Sequence, residues 1–167
     1  ILDNRIIGKL DEGTNSEEYW IFSKDSNIKK GYLLELTQED KKKHFFTAHL
    51  VKLGNDYYLD FYPRSAECKN EQNNHMSYFA ESFYEGHLFP IHTFAKIDIK
   101  EDGLVIRFFD HEWIEKLIKE SKIRIKHEKV DDSIILTAST TELQKFILKY
   151  AQEEKAFSEE AILERIL

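Results

Sequence analysis

The sequence predicts a mainly β fold with added helices, an antiparallel meander that closes into a barrel. Three observations carry this. Nine strand-like runs rich in β-branched and aromatic residues follow one another at short spacing. Tight-turn dipeptides join some of them, Gly54-Asn55 and Asp102-Gly103 most clearly, Asp131-Asp132 more weakly. Helical periodicity is confined to four stretches. Short strands joined by tight turns close, or nearly close, into a barrel. A half-open sheet with helices on one face is the alternative.

In chain order, the strands are expected at about 4–10, 17–24, 31–38, 44–53, 56–63, 87–100, 103–109, 123–130 and 133–139. Between the fifth and sixth, "HMSYFAESFYEG" places Met76, Phe79, Ala80, Phe83 and Tyr84 on one helical face, a short crossover helix at about 75–85. Either it covers a barrel mouth as a lid or it fills the barrel end. After the seventh, Asp110 is a candidate N-cap for a helix whose apolar face is Trp113, Ile114, Leu117 and Ile118. In "STTELQKFILKYA", Ser139 and Glu142 have capping-box spacing. The apolar face there is Leu143, Phe146, Ile147, Tyr150 and Ala151, expected to pack outside the barrel or across one end. "SEEAILERIL" reads as a last short helix capped by Ser158. The domain reading is one barrel-like unit over 1–153 with its helices, and a helical tail of the same domain over 154–167.

A two-residue hairpin loop fixes which residues oppose each other. About Gly54-Asn55, Phe46 meets Pro63, Ala48 meets Phe61 and Leu50 meets Leu59, an apolar face expected in the core. The other face pairs Thr47 with Tyr62, His49 with Asp60 and Val51 with Tyr58. About Asp102-Gly103, Ile97 meets Phe108 and Ile99 meets Ile106 on the core side, while Asp98 meets Arg107 as a solvent-side ion pair. In the third hairpin Ile123, Ile125, Ile134, Leu136 and Ala138 share a face that includes His127, read as a core or rim histidine.

Composition bounds the function. The chain has 167 residues, enough for one domain with its own core. It is 41% hydrophobic and 33% charged, a folded rather than disordered balance. A net charge of −7 argues against nucleic acid and against a polybasic membrane patch. No apolar run approaches the roughly 20 residues that span a bilayer as a helix. The start at Ile1, without Met, suggests that an upstream targeting segment was removed.

The motifs of phosphate loops, zinc proteases, thiol redox centres and serine hydrolases are missing. Cys68, in "SAECKNEQNN", reads as an ordinary loop thiol. His87 and His92 are five apart in a strand, so they point to opposite sides and do not share a metal unless Pro90 marks a bulge. No metal and no cofactor are expected. The constellation with a geometric basis is His49 opposite Asp60, flanked by Tyr58 and Tyr62, with His92 at its margin. It reads as a cross-strand polar pair, as a ligand contact in a barrel, or as a general base oriented by a carboxylate.

The segments "FTAHLVKLGNDYYLDFYP", "HLFPIHTFAKI", "FFDHEWIEKL" and "ILTASTTELQKFILKYA" together resemble a family of uncharacterised bacterial envelope proteins, often made as lipoproteins. The resemblance spans about residues 17 to 153. It implies a calycin-like or lipocalin-like barrel and an envelope or periplasmic address. It carries over no activity and no site residues, and no lipobox cysteine lies in this chain.

The expectation is a non-enzymatic envelope protein that binds a small hydrophobic or amphiphilic ligand in its barrel through His49, Tyr58, Asp60, Tyr62 and His92. One alternative is a protein-interaction or structural envelope module with a filled barrel. A second is a hydrolase or isomerase using His49 and Asp60. The partner is then an apolar small molecule or an envelope protein.

Overall fold

The computed structural model describes residues 1–13, 18–37, 41–64, 91–130 and 133–166. The expected crossover helix at 75–85, Cys68, His87 and Pro90 lie outside the described residues. Eight strands form a closed antiparallel barrel. They are β1 (Gly8–Asp11), β2 (Tyr19–Lys24), β3 (Tyr32–Thr37), β4 (Lys43–Leu53), β5 (Asp56–Pro63), β6 (Thr93–Ile99), β7 (Gly103–Phe108) and β10 (Ala161–Ile166). Strands β1 to β6 each pair with the next, and β10 closes the ring between β7 and β1. Between β7 and β10 the chain makes α1 (His111–Lys119), a separate two-stranded sheet of β8 (His127–Val130) and β9 (Ser133–Leu136), and α2 (Thr140–Tyr150). Among the described residues no helix is long and apolar enough to cross a membrane.

The β4–β5 register is the one the Gly54-Asn55 turn dictates, down to His49 opposite Asp60. Gly54 has φ of +62°, the left-handed conformation such a turn needs. The β6–β7 register departs from expectation by two residues. Ile97 meets Ile106 and Ile99 meets Leu104. The turn is Glu101-Asp102, closed by Lys100 N–H donating to Gly103 O at 3.0 Å. Gly103 has a different purpose, because a Cβ there would lie 1.9 Å from the Leu163 carbonyl oxygen of β10. It is a strand residue that lets β10 approach. A shift of two leaves each side chain on its predicted face but breaks the expected Asp98–Arg107 pair. Asp98 opposes Val105, and Arg107 opposes Lys96 and pairs with Glu160 at 3.5 Å.

The C-terminal stretch is corrected outright. Residues 161–166 form a strand, not a helix. Leu163 is buried in the barrel while Ile162, Glu164 and Ile166 are exposed, which is the alternation of a stave. The 127–136 hairpin pairs His127 with Leu136 but stays outside the barrel.

The barrel interior is filled. Leu10, Phe22, Tyr32, Leu34, Leu59, Leu104, Ile106 and Leu163 are each at most 1% exposed and form one cluster with Ala48, Leu50, Phe61 and Ile97. Phe46, Ile99 and Phe108, also expected in the core, are half-buried because they sit toward the strand ends. The N-terminal segment covers one end. Ile6 is wholly buried, and Asp3 N–H donates to the Tyr32 hydroxyl at 2.6 Å.

The helices pack on the outer wall. Two of the three predicted N-caps form, and Ser158 caps no helix because a strand follows it. Asp110 accepts from Trp113 N–H at 3.0 Å, and Ser139 and Glu142 complete a capping box. Phe146 and Ile147 of α2 bury Tyr58 of β5, with Phe94, Phe109, Trp113, Ile114 and Tyr150 packed around them. The C-terminal end of α2 is tied to the barrel through Lys96 of β6. Its ammonium donates to Ala151 O at 2.8 Å and pairs with Asp56 at 3.0 Å. A cation at a helix C-terminus satisfies a terminal carbonyl and complements the helix dipole.

Candidate functional site: an outer-wall cleft beside His92 and Asp60

The face that carries His49, Tyr58, Asp60 and Tyr62 points outward. Its alternate neighbours Ala48, Leu50, Leu59 and Phe61 fill the interior, so the pleat leaves no other direction. The structure divides the five predicted residues. Asp60, Tyr62 and His92 come together. The His92 ring Nδ1 is 2.8 Å from Asp60 Oδ1, and the Tyr62 and His92 ring centroids are 4.7 Å apart. His92 directly precedes β6, which neighbours β5, so the two side chains share one face across the pair. Asp60 is mostly buried at 19% side-chain exposure and His92 is half-exposed at 54%.

His49 and Tyr58 go elsewhere. Although His49 opposes Asp60 in register, its Nε2 lies beside Gly31, where an added Cβ would be 3.4 Å away. The carboxylate of Asp60 therefore orients His92 rather than His49. Tyr58 is covered by α2 at 1% exposure. Burial first, then the Asp56 charge, push its hydroxyl up to about 12.

Next to the His92–Asp60 bond lies an apolar cleft of about 160 Å3. One wall is the outer surface of β6 and β7, with His92, Phe94 and Phe109 at the strand ends. The opposite wall comes from Ile114 of α1, Leu136 of β9 and Leu143 of α2, with Phe146 at its base. The sequence puts these residues on apolar faces for a plain reason. The outer faces of β5 and β6 are themselves partly apolar, and the helices bury that surface incompletely. What sequence reasoning missed was the cleft, since it depends on how far α1, α2 and β9 stand from the wall. The signal for the polar rim was present in the parity of His92 and the adjacency of β5 and β6.

The rim has the bonding pattern of an oriented imidazole. A carboxylate only accepts, so Nδ1 carries the proton shared with Asp60, and no described residue bonds Nε2. Among the described residues the ring neighbours of His92 are Tyr62 and Phe94, the latter stacked at 6.4 Å and 17°. Neither is a nucleophile of the serine or cysteine kind. Among the described residues no group of three His, Cys, Asp or Glu side chains is placed to hold a metal ion. Comparison with known proteins places no relative beside this chain: no family model, curated protein or solved structure matches it.

Proposed function

We propose that this is a non-enzymatic binding protein that takes a small apolar or amphiphilic group in the outer-wall cleft, not along the barrel axis. The observation that carries the reading is the half-open apolar cleft of about 160 Å3 with an oriented histidine at its rim. Binding sites are concave and mostly apolar, with a few placed polar groups. The size sets the scale of the guest. A cavity of about 150 Å3 accommodates benzene, so this cleft suits one ring or one branched alkyl group. The barrel axis is a poorer place, since Phe22, Tyr32 and Leu34 already occupy it. The envelope address implied by the sequence resemblance belongs to the same proposal, and fractionation of the producing cells checks it.

Toluene tests the site. It should bind the full chain in ligand-observed NMR, and Leu143→Trp, which fills the cleft, should abolish the signal. His49→Ala should leave it unchanged, because His49 turns toward Gly31. Toluene binding that survives Leu143→Trp would place the guest elsewhere. No binding at all would favour the filled-barrel interaction module, whose support is the same packed interior.

A further inference from the structure

We propose that the cleft selects a small phenol over the bare aromatic ring, with His92 Nε2 accepting the hydroxyl proton. This inference rests on the reading of the cleft as a binding site and names the chemistry of its guest. The apolar part of the guest follows from the lining. Phe94, Phe109 and Phe146 border the space, and the Phe109 and Phe146 rings are 6.0 Å apart. Rings in that arrangement prefer a further ring in offset or edge-on contact.

The polar part follows from Asp60. An ionised carboxylate has no hydrogen to give, so the 2.8 Å bond requires the proton on His92 Nδ1. In the neutral ring this fixes the tautomer and leaves a lone pair on Nε2. A lone pair at the rim of an apolar space favours a guest that brings a donor. A carboxylate guest offers none. An ammonium guest offers one, but it must shed its water to enter a space walled by phenylalanine and leucine, which is costly. A neutral hydroxyl on an aromatic ring meets both demands. Tyr62, 4.7 Å from the imidazole, packs against its ring and helps hold its plane. Asp60 is therefore a positioning residue, and His92 is the group that touches the guest.

Phenol and toluene are nearly equal in shape, so the pair separates the two readings. With the full chain in mildly alkaline buffer, phenol should bind more tightly than toluene. A cleft without an acceptor leaves the buried hydroxyl unsatisfied and rejects phenol. In His92→Phe, which keeps a ring of similar size, phenol affinity should fall about tenfold or more while toluene affinity stays the same. Asp60→Ala frees the tautomer and should weaken phenol by a smaller factor, again sparing toluene. Toluene binding with no loss of phenol in His92→Phe would overturn the assignment of Nε2 while leaving the cleft standing. Equal loss of both ligands would mean that His92 merely shapes the wall, and absence of toluene binding in the wild type would remove both readings.

Discussion

Tyr58 holds a hydroxyl without a hydrogen-bond partner among the described residues, under α2 and nearly sealed from solvent. Such a group costs about 1–3 kcal/mol when buried. Tyr58→Phe keeps the ring and removes the burden, so urea unfolding should report a gain of about 1 kcal/mol. The same hydroxyl links stability to alkaline pH. An unfolded tyrosine ionises near its ordinary 10.0, whereas this one is pushed up to about 12. Between those values the unfolded chain binds fewer protons than the folded one. Stability should therefore fall as pH rises through that window, by up to ~1.4 kcal/mol per pH unit. Tyr58→Phe should lose less over the same range. Tyr32, also raised mainly by burial, supplies part of the decline that remains. Parallel curves for wild type and variant would contradict the assignment. At this scale the sequence was half legible. Parity put His49, Tyr58, Asp60 and Tyr62 on one face, but parity does not say whether a helix will cover one of them or which histidine a carboxylate will choose.

Helix α2 is held by its apolar face, its cap and its Lys96 tether, and each has its own test. Phe146 is 9% exposed against the barrel wall, so Phe146→Ala should cost about 3–5 kcal/mol in denaturant unfolding. A loss under about 1 kcal/mol would make the helix peripheral to the fold. Ser139→Ala removes the capping box and should cost about 1 kcal/mol, with faster amide exchange confined to the first turn. The elements that were legible had a local signal with one meaning. Gly54-Asn55 set the whole β4–β5 register, and Asp110 and Ser139 marked two helix starts. The failures had signals with two meanings. Gly103 followed an aspartate, as in a hairpin turn, yet its place is set by the Leu163 backbone of β10, three strands further along the chain. Gly103→Ala should accordingly disrupt the β7–β10 pairing and lower the melting temperature sharply, whereas a true turn glycine at low strain would tolerate alanine. In "SEEAILERIL" adjacent apolar residues fit a helix stripe as well as a strand, and only the open gap between β7 and β1 decides in favour of the strand.

The barrel is packed inside, and the candidate site lies on its outer wall. Barrel closure was legible in outline from strand spacing and turns, although two of the nine expected strands stand outside the barrel and the closing stave β10 read as a helix. The location of the candidate site was not, because inward and outward faces of β5 both carry aromatics: Phe61 and Tyr57 on one, Tyr58 and Tyr62 on the other. Closure depends on β10, which covers the edges of both β1 and β7. A chain ended after Ser158 leaves two bare edges, which invite pairing with other chains. It should elute as oligomers and lose its cooperative unfolding transition, and a monomeric, cooperative product would mean that β1 and β7 can pair directly. The order of the staves also has a consequence during synthesis. A ribosome delivers β1 first and β10 last, so seven staves emerge before the one that joins the two margins. For that interval the nascent chain is an open, curled sheet with β1 waiting for a partner more than 150 residues behind it. Loop closure over such a span is slow. The seal forms only once β10 has been made, so until then the margins of β1 and β7 carry unsatisfied backbone donors and acceptors.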